Sequence, residues 1–269
     1  MQNDHQTSLE KALSKTETDA EATLKVALAA VSSIKKFRMA AKSGDLREMK
    51  RAIDASEQSV AALKQQFVNA KDGWVFDEEI YLSSKDFLEE VIAASAQSGV
   101  KIFEQDDRLY CYPFIVRAIS NERCVMINKT REKRLRPSVL ANHLKMLQNK
   151  PIRFKPETLL ECLFSAYSIA VKTRGDHKIF TGAVVPLLEV YDILTLLPGQ
   201  SKEYAKQEFA RDIYLLDQSN ITQTKKGYCL SLPASTGTKS ASRTITVITQ
   251  HGQEKMYYGI SFRPISRRV

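Results

Sequence analysis

The stretch "SGD" at residues 43–45 separates two long segments with helical spacing, and it constrains the fold more than any other short stretch of this sequence. Gly44 suits the left-handed conformation that ends many helices. Asp45 is a good N-cap for a following helix, and Glu48 stands three residues later, in the spacing of a capping box. A connection this short brings two helices together as an antiparallel hairpin. We therefore predict a helical hairpin over residues 8–72.

The apolar residues of the second predicted helix follow a coiled-coil-like spacing, with alternating steps of three and four and one interruption near Ser56. These residues are Leu46, Met49, Ile53, Val60, Leu63, Phe67 and Ala70. The apolar residues of the first helix fit one face less regularly. These are Leu24, Leu28, Val31, Ile34 and Met39. Such a hairpin either packs within the protein or serves as an oligomerisation or partner-docking element, and the length of the seam favours docking.

Residues 73–122 form an acidic segment, with ten acidic and four basic residues. A helix over residues 85–98, capped by Ser83 or Ser84 and closed by Gly99, precedes a predicted β-hairpin with a "QDD" turn, which is the order found in a winged helix. Carboxylates on the helix and at the turn repel phosphates, so this unit favours a protein partner over DNA. The acidic turn at residues 104–107 also permits a divalent-metal site, although such residues usually just form turns.

Residues 123–155 form a basic block, with ten Lys or Arg residues and a single acid, Glu132. Surface charge that only aids stability usually mixes both signs, so this excess indicates a polyanionic partner. The stretch "KTREKRLR" reads as a loop or helix lead-in, and Pro137 begins a helix. Phe154 is the one aromatic residue nearby, which favours duplex backbone over stacked single strands. The candidate contacts are Lys129, Arg131, Lys133, Arg134, Arg136, Lys145, Lys150 and Arg153.

The sequence pattern of residues 156–269 predicts a helical core followed by a small basic β-sheet. A proline-started helix runs to about residue 173, and Pro186 predicts a kink or late start in the next helix. "SKEYAKQEFARDIYLLDQS" reads as one amphipathic helix, and "GYCLSL", "RTITVIT" and "KMYYGISF" read as strands. The candidate nucleic-acid contacts in this region are Lys225, Lys226, Lys239 and Arg243.

The motifs of common enzymes are missing from the sequence. There is no phosphate-binding glycine loop, no nucleophile elbow and no zinc-protease motif. Four widely spaced cysteines predict reduced core residues rather than a metal site, and no cofactor is indicated. Lys255 lacks a visible aspartate partner on a preceding strand, and "RGDHK" at residues 174–178 reads as a polar turn. The polar start and the lack of a long apolar run predict a cytoplasmic protein without a membrane anchor.

We therefore predict an α+β protein in three parts: a helical hairpin over residues 1–72, a winged-helix-like unit with a basic extension over 73–155, and a helical core with a basic antiparallel sheet over 156–269. The predicted function is a non-enzymatic, nucleic-acid-associated subunit that contacts duplex DNA and docks partner proteins, with a homo-oligomer possible through residues 8–72. The alternative is a scaffold subunit of a prokaryotic multi-protein complex, such as a defence or chromosome-maintenance assembly, in which the basic and acidic blocks pair with each other.

Overall fold

The computed structural model describes residues 8–174, 182–233 and 244–265. It has an α+β fold with a long helical pair, a central antiparallel sheet and a small C-terminal sheet, which confirms the predicted fold class. The chain divides into two compact units. Unit 1 holds the chain up to residue 98 with residues 118–126 and 131–142, and unit 2 holds residues 99–117, 127–130 and the chain from residue 143 onward. The three-part division at residues 72 and 155 stays a prediction.

The helical hairpin of unit 1 forms as the sequence predicts. Helix α1 spans Leu9–Ser43 and helix α2 spans Leu46–Asp72. Gly44 lies in the left-handed region, with φ of 76°, and its N–H donates to carbonyls in the last turn of α1. The Asp45 side chain accepts from the N–H of Glu48 at 2.9 Å. The N–H of Asp45 donates to a carbonyl in the last turn of α1 instead of to the Glu48 side chain. Only one of the two hydrogen bonds of a capping box is therefore formed.

Unit 1 continues beyond the hairpin through short helices. Helix α3 spans Glu78–Ser83, α4 spans Lys85–Gln97, and a single 3-10 turn follows at Ser120–Glu122. The Ser84 side chain accepts from a backbone N–H in the first turn of α4, which confirms the predicted cap. Helix α5 spans Pro137–Gln148, starting at the predicted proline, and the boundary between the two units falls within it.

A five-stranded antiparallel meander follows α4. The strands are β1 (Phe103–Gln105), β2 (Arg108–Cys111), β3 (Phe114–Ile119), β4 (Cys124–Ile127) and β5 (Thr130–Glu132). Asp106 and Asp107 form the predicted turn, and both have positive φ. A helix followed by a β-hairpin occurs in the predicted order along the chain, the sheet extends to five strands, and the winged-helix-like unit stays a prediction. Strand β5 takes up residues 130–132, where we predicted a loop or helix lead-in, so that prediction is wrong there, whereas residues 133–136 are the predicted irregular lead-in to the next helix.

Unit 2 holds the main hydrophobic core. Its helices are α6 (Pro156–Thr173), α7 (Leu187–Leu194), α8 (Gln200–Glu203) and α9 (Lys206–Gln218). Its further strands are β6 (Val185–Pro186), β7 (Tyr228–Ser231), β8 (Ile245–Ile248), β9 (Glu254–Tyr257) and β10 (Gly259–Pro264). They form a sheet in the order β6-β10-β7 and a separate β8-β9 pair. Helix α7 starts just after Pro186, which confirms the late start, whereas the single helix predicted after residue 200 is two.

Candidate functional site

The two helices of the hairpin meet through small and polar side chains, with four half-buried larger apolar residues among them, Val26, Phe37, Met49 and Leu63. The least exposed positions follow the three-four spacing of a coiled coil in both helices. In α1 they are Thr23, Val26, Ala30, Ser33, Phe37 and Ala40, and in α2 they are Met49, Ala52, Ser56, Ser59, Leu63 and Gln66. Ser33 and Ser59 share a hydrogen bond of 3.1 Å between their hydroxyl oxygens. Beyond Leu9 at the start of α1, the fully buried residues of the two helices are all alanines. This inner seam therefore allows close approach but buries little apolar area.

Most of the large apolar residues of α2 lie outside this seam. Leu46, Ile53, Val60 and Phe67 recur every seven residues, which places them on one face of the helix. Their exposed fractions are 71%, 41%, 48% and 60%. The single apolar seam read from the sequence is therefore two lines of residues, and the structure leaves one of them open to solvent.

Helix α1 carries a second exposed line with the same regularity. Its members alternate by steps of four and three. They are Glu17, Glu21, Leu24, Leu28, Val31, Lys35, Arg38 and Lys42. Leu24 and Leu28 are 60% and 62% exposed, and Val31 is 46% exposed. This line starts acidic, is apolar in its middle and ends basic.

The exposed lines of α1 and α2 lie towards the same side of the hairpin. Val31 directly follows the inner residue Ala30, and Val60 directly follows the inner residue Ser59. Because the helices are antiparallel, rotations of the same sense away from the seam lead towards the same side of the hairpin, although Leu24 and Leu28 lie further round their helix, on the side of α1 away from α2. We call this surface the hairpin face and define it by its six central apolar residues. These are Leu24, Leu28, Val31, Ile53, Val60 and Phe67.

The start of α1 is fixed by a carboxylate from α4. Glu90 accepts hydrogen bonds from the backbone N–H groups of Leu9 at 3.0 Å and Glu10 at 3.1 Å, and also from the hydroxyls of Ser8 and Tyr81. A negative charge at a helix N-terminus is favourable because unpaired N–H groups point there. Burial and the neighbouring Glu90 raise the pKa of the Tyr81 phenol, so it stays a donor. The base of the hairpin is thus anchored within unit 1.

Arg136, a predicted phosphate contact, binds side chains in the first turns of α1, at the same end of the hairpin. Its guanidinium donates to Glu10 and to Glu17 at 2.6 Å each and to the Ser14 hydroxyl at 2.7 Å. Burial raises the pKa of Glu10, but hydrogen bonds from Arg136 and Ser138 outweigh it and leave that pKa below its usual value. The same carboxylates raise the pKa of Arg136. This side chain therefore binds protein rather than standing ready for a phosphate.

Other arginines near the basic block also have carboxylate partners within unit 1. Arg131 lies 3.0 Å from Glu122, and Arg134 lies 2.6 Å from Glu132. Arg123, at the start of the block, lies 3.0 Å from Glu78. All three arginine side chains are at least 59% exposed, so these pairs are weak and can exchange. The basic and acidic blocks pair in part, as the alternative interpretation expected.

The lysines of the block are placed differently. Lys129 lies in the tight turn between β4 and β5, next to Asn128, whose φ is 52°. Lys133 and Lys145 are exposed as well. None of these three lysines forms an ion pair with any residue in the described part of the chain. Their charges are therefore not used in ion pairs within the described residues.

In unit 2, the predicted contacts Lys150 and Arg153 bind the α8–α9 region. Lys150 pairs with Glu208. Arg153 donates to the Glu203 carbonyl at 2.9 Å, and its guanidinium lies 5.5 Å from the Tyr204 ring centre. The predicted contacts Lys225 and Lys226 are exposed, and the Lys226 ammonium lies 5.9 Å from the centre of a phenylalanine ring. The last two predicted contacts, Lys239 and Arg243, lie outside the described residues.

A buried ion pair that the sequence analysis missed holds the link after α5. Arg211 donates to the carbonyls of Lys150 and Pro151 at 2.8 and 3.2 Å and lies 3.5 Å from Asp212. Asp212 also accepts from the Tyr204 hydroxyl at 3.0 Å, and burial raises the pKa of its carboxyl. All of these hydrogen-bond and ion-pair partners are residues of unit 2. The cluster therefore holds the link after α5 against α9. Its only sequence signal is a pair of adjacent opposite charges, Arg211 and Asp212, between the apolar residues of an amphipathic helix.

Lys255 has the aspartate partner that the sequence did not reveal. Asp217, at the end of α9, accepts from Lys255 at 2.6 Å and from the Tyr257 hydroxyl at 2.8 Å. Burial and Asp217 raise the pKa of Tyr257. In the described ranges, no three His, Cys, Asp or Glu side chains converge to hold a metal ion. His177, in the "RGDHK" turn, lies outside those ranges. The Lys255 cluster therefore ties strand to helix and offers no metal chemistry.

A scan against protein-family models and searches of curated proteins and of solved structures found no match to this chain. Among the described helices, none is both long and apolar enough to cross a bilayer. The hairpin face and the exposed lysines are thus the two surfaces from which a function can be argued.

Proposed function

We propose that this protein is a non-enzymatic, cytoplasmic assembly subunit that binds another protein through the hairpin face. The observation that carries the proposal is the exposure of six large apolar side chains, 41% to 62% each, in regular lines along a long helical pair. Burying apolar surface is favourable by about 25 cal/mol per Å², and contiguous exposed apolar patches mark interaction sites. The four cysteines are free, which suits a reducing compartment.

The arginines add support to the protein-binding role. Arg131, Arg134 and Arg136 were predicted to contact phosphates, yet each has a carboxylate partner within unit 1. A cation already paired must lose that partner before it can meet a phosphate. The positive charge of the basic block is therefore partly used inside the chain, which favours the scaffold interpretation over nucleic-acid binding.

Site-specific photo-cross-linking in the native host tests the proposal. A photoreactive residue at Val60 reports on the hairpin face, and one at the exposed residue Gln58, on the opposite side of α2, is the matched control. We expect a discrete cross-linked protein species from the Val60 position, none from the Gln58 position, and loss of the Val60 product when Phe67→Ser is added. Equal products from both positions, or no product from either, would overturn the proposal.

A second candidate function, contact with duplex backbone, is favoured by one observation. Lys129, Lys133 and Lys145 are exposed and lack ion pairs within the described ranges. Each lysine that neutralises a phosphate steepens the salt dependence of binding by about 0.9 in the log–log slope. We expect Lys→Ala changes at these three positions to weaken duplex binding and flatten that slope. Arg131→Ala with Arg134→Ala is the matched control, and equal binding by the lysine variant and wild type would exclude this candidate.

A further inference from the structure

We infer that the hairpin face binds a second copy of this chain, with α1 of one copy antiparallel to α1 of the other. The inference rests on the proposed function, because it names the partner of that same surface. It commits to a symmetric dimer, in which the same patch is used by both subunits.

The order of charges along the exposed line of α1 carries the inference. Acidic residues stand at its amino end, apolar residues in the middle and basic residues at its carboxyl end. Reversal about the midpoint of the line exchanges Glu21 with Arg38 and Leu28 with Val31. An antiparallel copy therefore places acid against base at both ends and Leu28 against Val31 in the middle, with Leu24 against Lys35 between them, whereas a parallel copy places Glu21 against Glu21. Complementary charges of this kind fix partner and orientation.

The charges that would form these pairs are available. Glu21 and Arg38 are exposed, and neither forms an ion pair with another described residue. Glu17, which the reversal pairs with Lys42, keeps 57% of its side chain exposed although Arg136 binds it. The Glu21–Arg38 pair would occur twice in a symmetric dimer. It is the pair that most directly distinguishes an antiparallel copy from any other partner.

The size of the hairpin face suits a stable dimer. Helix α2 has 27 residues, so it is about 40 Å long, and two adjacent helices are about 20 Å wide. The face is therefore about 800 Å² in area, which is the usual size per partner of a specific interface. Lys50, Glu57, Lys64 and Lys71 alternate with the apolar line of α2. They supply the polar rim that such interfaces carry.

Charge exchange in the full-length purified protein tests the inference. The association state of wild type, E21K, R38E and the double variant E21K/R38E is measured by sedimentation equilibrium at low salt. We expect wild type to be a dimer, each single variant to raise the dissociation constant at least about tenfold, and the double variant to recover most of that loss. All four proteins should keep equal helix content and melting behaviour in dilute solution, since both positions are exposed.

Two results would overturn the inference. One is a wild type that stays monomeric at high micromolar concentration, and the other is a double variant no better than the single ones. A monomeric wild type whose Val60 position still cross-links a different host protein would remove the dimer but keep the proposed function. A monomeric wild type with no Val60 product would remove both.

Discussion

The hairpin and the core of unit 2 use the same residue types in opposite ways. Leu163, in the middle of α6, is fully buried, whereas Leu28, in the middle of α1, is 62% exposed. The interior of the hairpin is instead made by Ala30, Ala52 and the Ser33–Ser59 hydrogen bond. Two helices alone share a single surface, and here small residues occupy it. The comparison teaches that the fully buried positions of the hairpin seam are small residues, while most of its large apolar side chains remain for another surface.

The first prediction compares one substitution in both regions and has the largest expected effect. Leu163→Ala should lower the free energy of unfolding by about 3 kcal/mol, because it removes buried contacts and leaves a cavity. Leu28→Ala should change it by less than about 0.5 kcal/mol, since little area is buried there. Urea unfolding at concentrations below any self-association measures both. Equal losses of unfolding free energy in the two variants would contradict this contrast, because Leu28 would then have to be buried in the isolated chain.

The second prediction concerns the anchored base of the hairpin. Glu90→Gln should cost about 1 to 2 kcal/mol, since it removes the charge that accepts from the first N–H groups of α1. The adjacent Glu89 is exposed on the same helix, so Glu89→Gln is the matched control and should change little. Hydrogen exchange of the amides of residues 9–13 checks the result. Unchanged protection in the Glu90 variant would show that α1 starts without this carboxylate.

The third prediction concerns how the stability contributed by Glu10 depends on pH, and its expected effect is smaller. The pKa of Glu10 is lowered in the folded protein, because hydrogen bonds from Arg136 and Ser138 outweigh burial. Its carboxylate therefore stabilises the fold above its unfolded pKa of about 4.3, and that contribution is lost as the pH falls through the lower folded value. Glu10→Gln should be less stable than wild type by about 1 kcal/mol at neutral pH. The two unfolding curves should converge once the pH has fallen below the lowered pKa of Glu10, and a difference that persists in fully acidic solution would contradict the role of the charge.

Local chemistry explains why parts of the fold could be predicted from the sequence. Gly44 and Asp45 act on backbone groups within a few residues, so their capping roles need no distant partner. Pro137 and Pro186 likewise mark helix starts because a proline ring fixes its own φ. The hairpin, the helix before the sheet and the late start of α7 all follow from residues of this kind.

Partners distant in the sequence explain what could not be predicted. Arg136 looked unpaired in a basic block, but its acceptor Glu10 lies 126 positions earlier. The heptad pattern of α2 contains Ser59 and Val60 side by side, and spacing alone does not tell which faces α1. The break after α8 falls at Tyr204, which is buried like a helix-face residue. The apolar period therefore continues across the break and conceals it.

Gly44 decides whether α1 and α2 fold back or run on as one continuous rod. Its φ is 76°, and a Cβ placed there would meet nothing within 4 Å, so only backbone conformation resists a side chain. That resistance is about 1 to 2 kcal/mol for an L residue. A change at this single position would shift the balance towards a straight helix over residues 9–72, whose inner seam could close only against the same seam of another chain. We therefore expect Gly44 to favour the closed hairpin over a domain-swapped dimer.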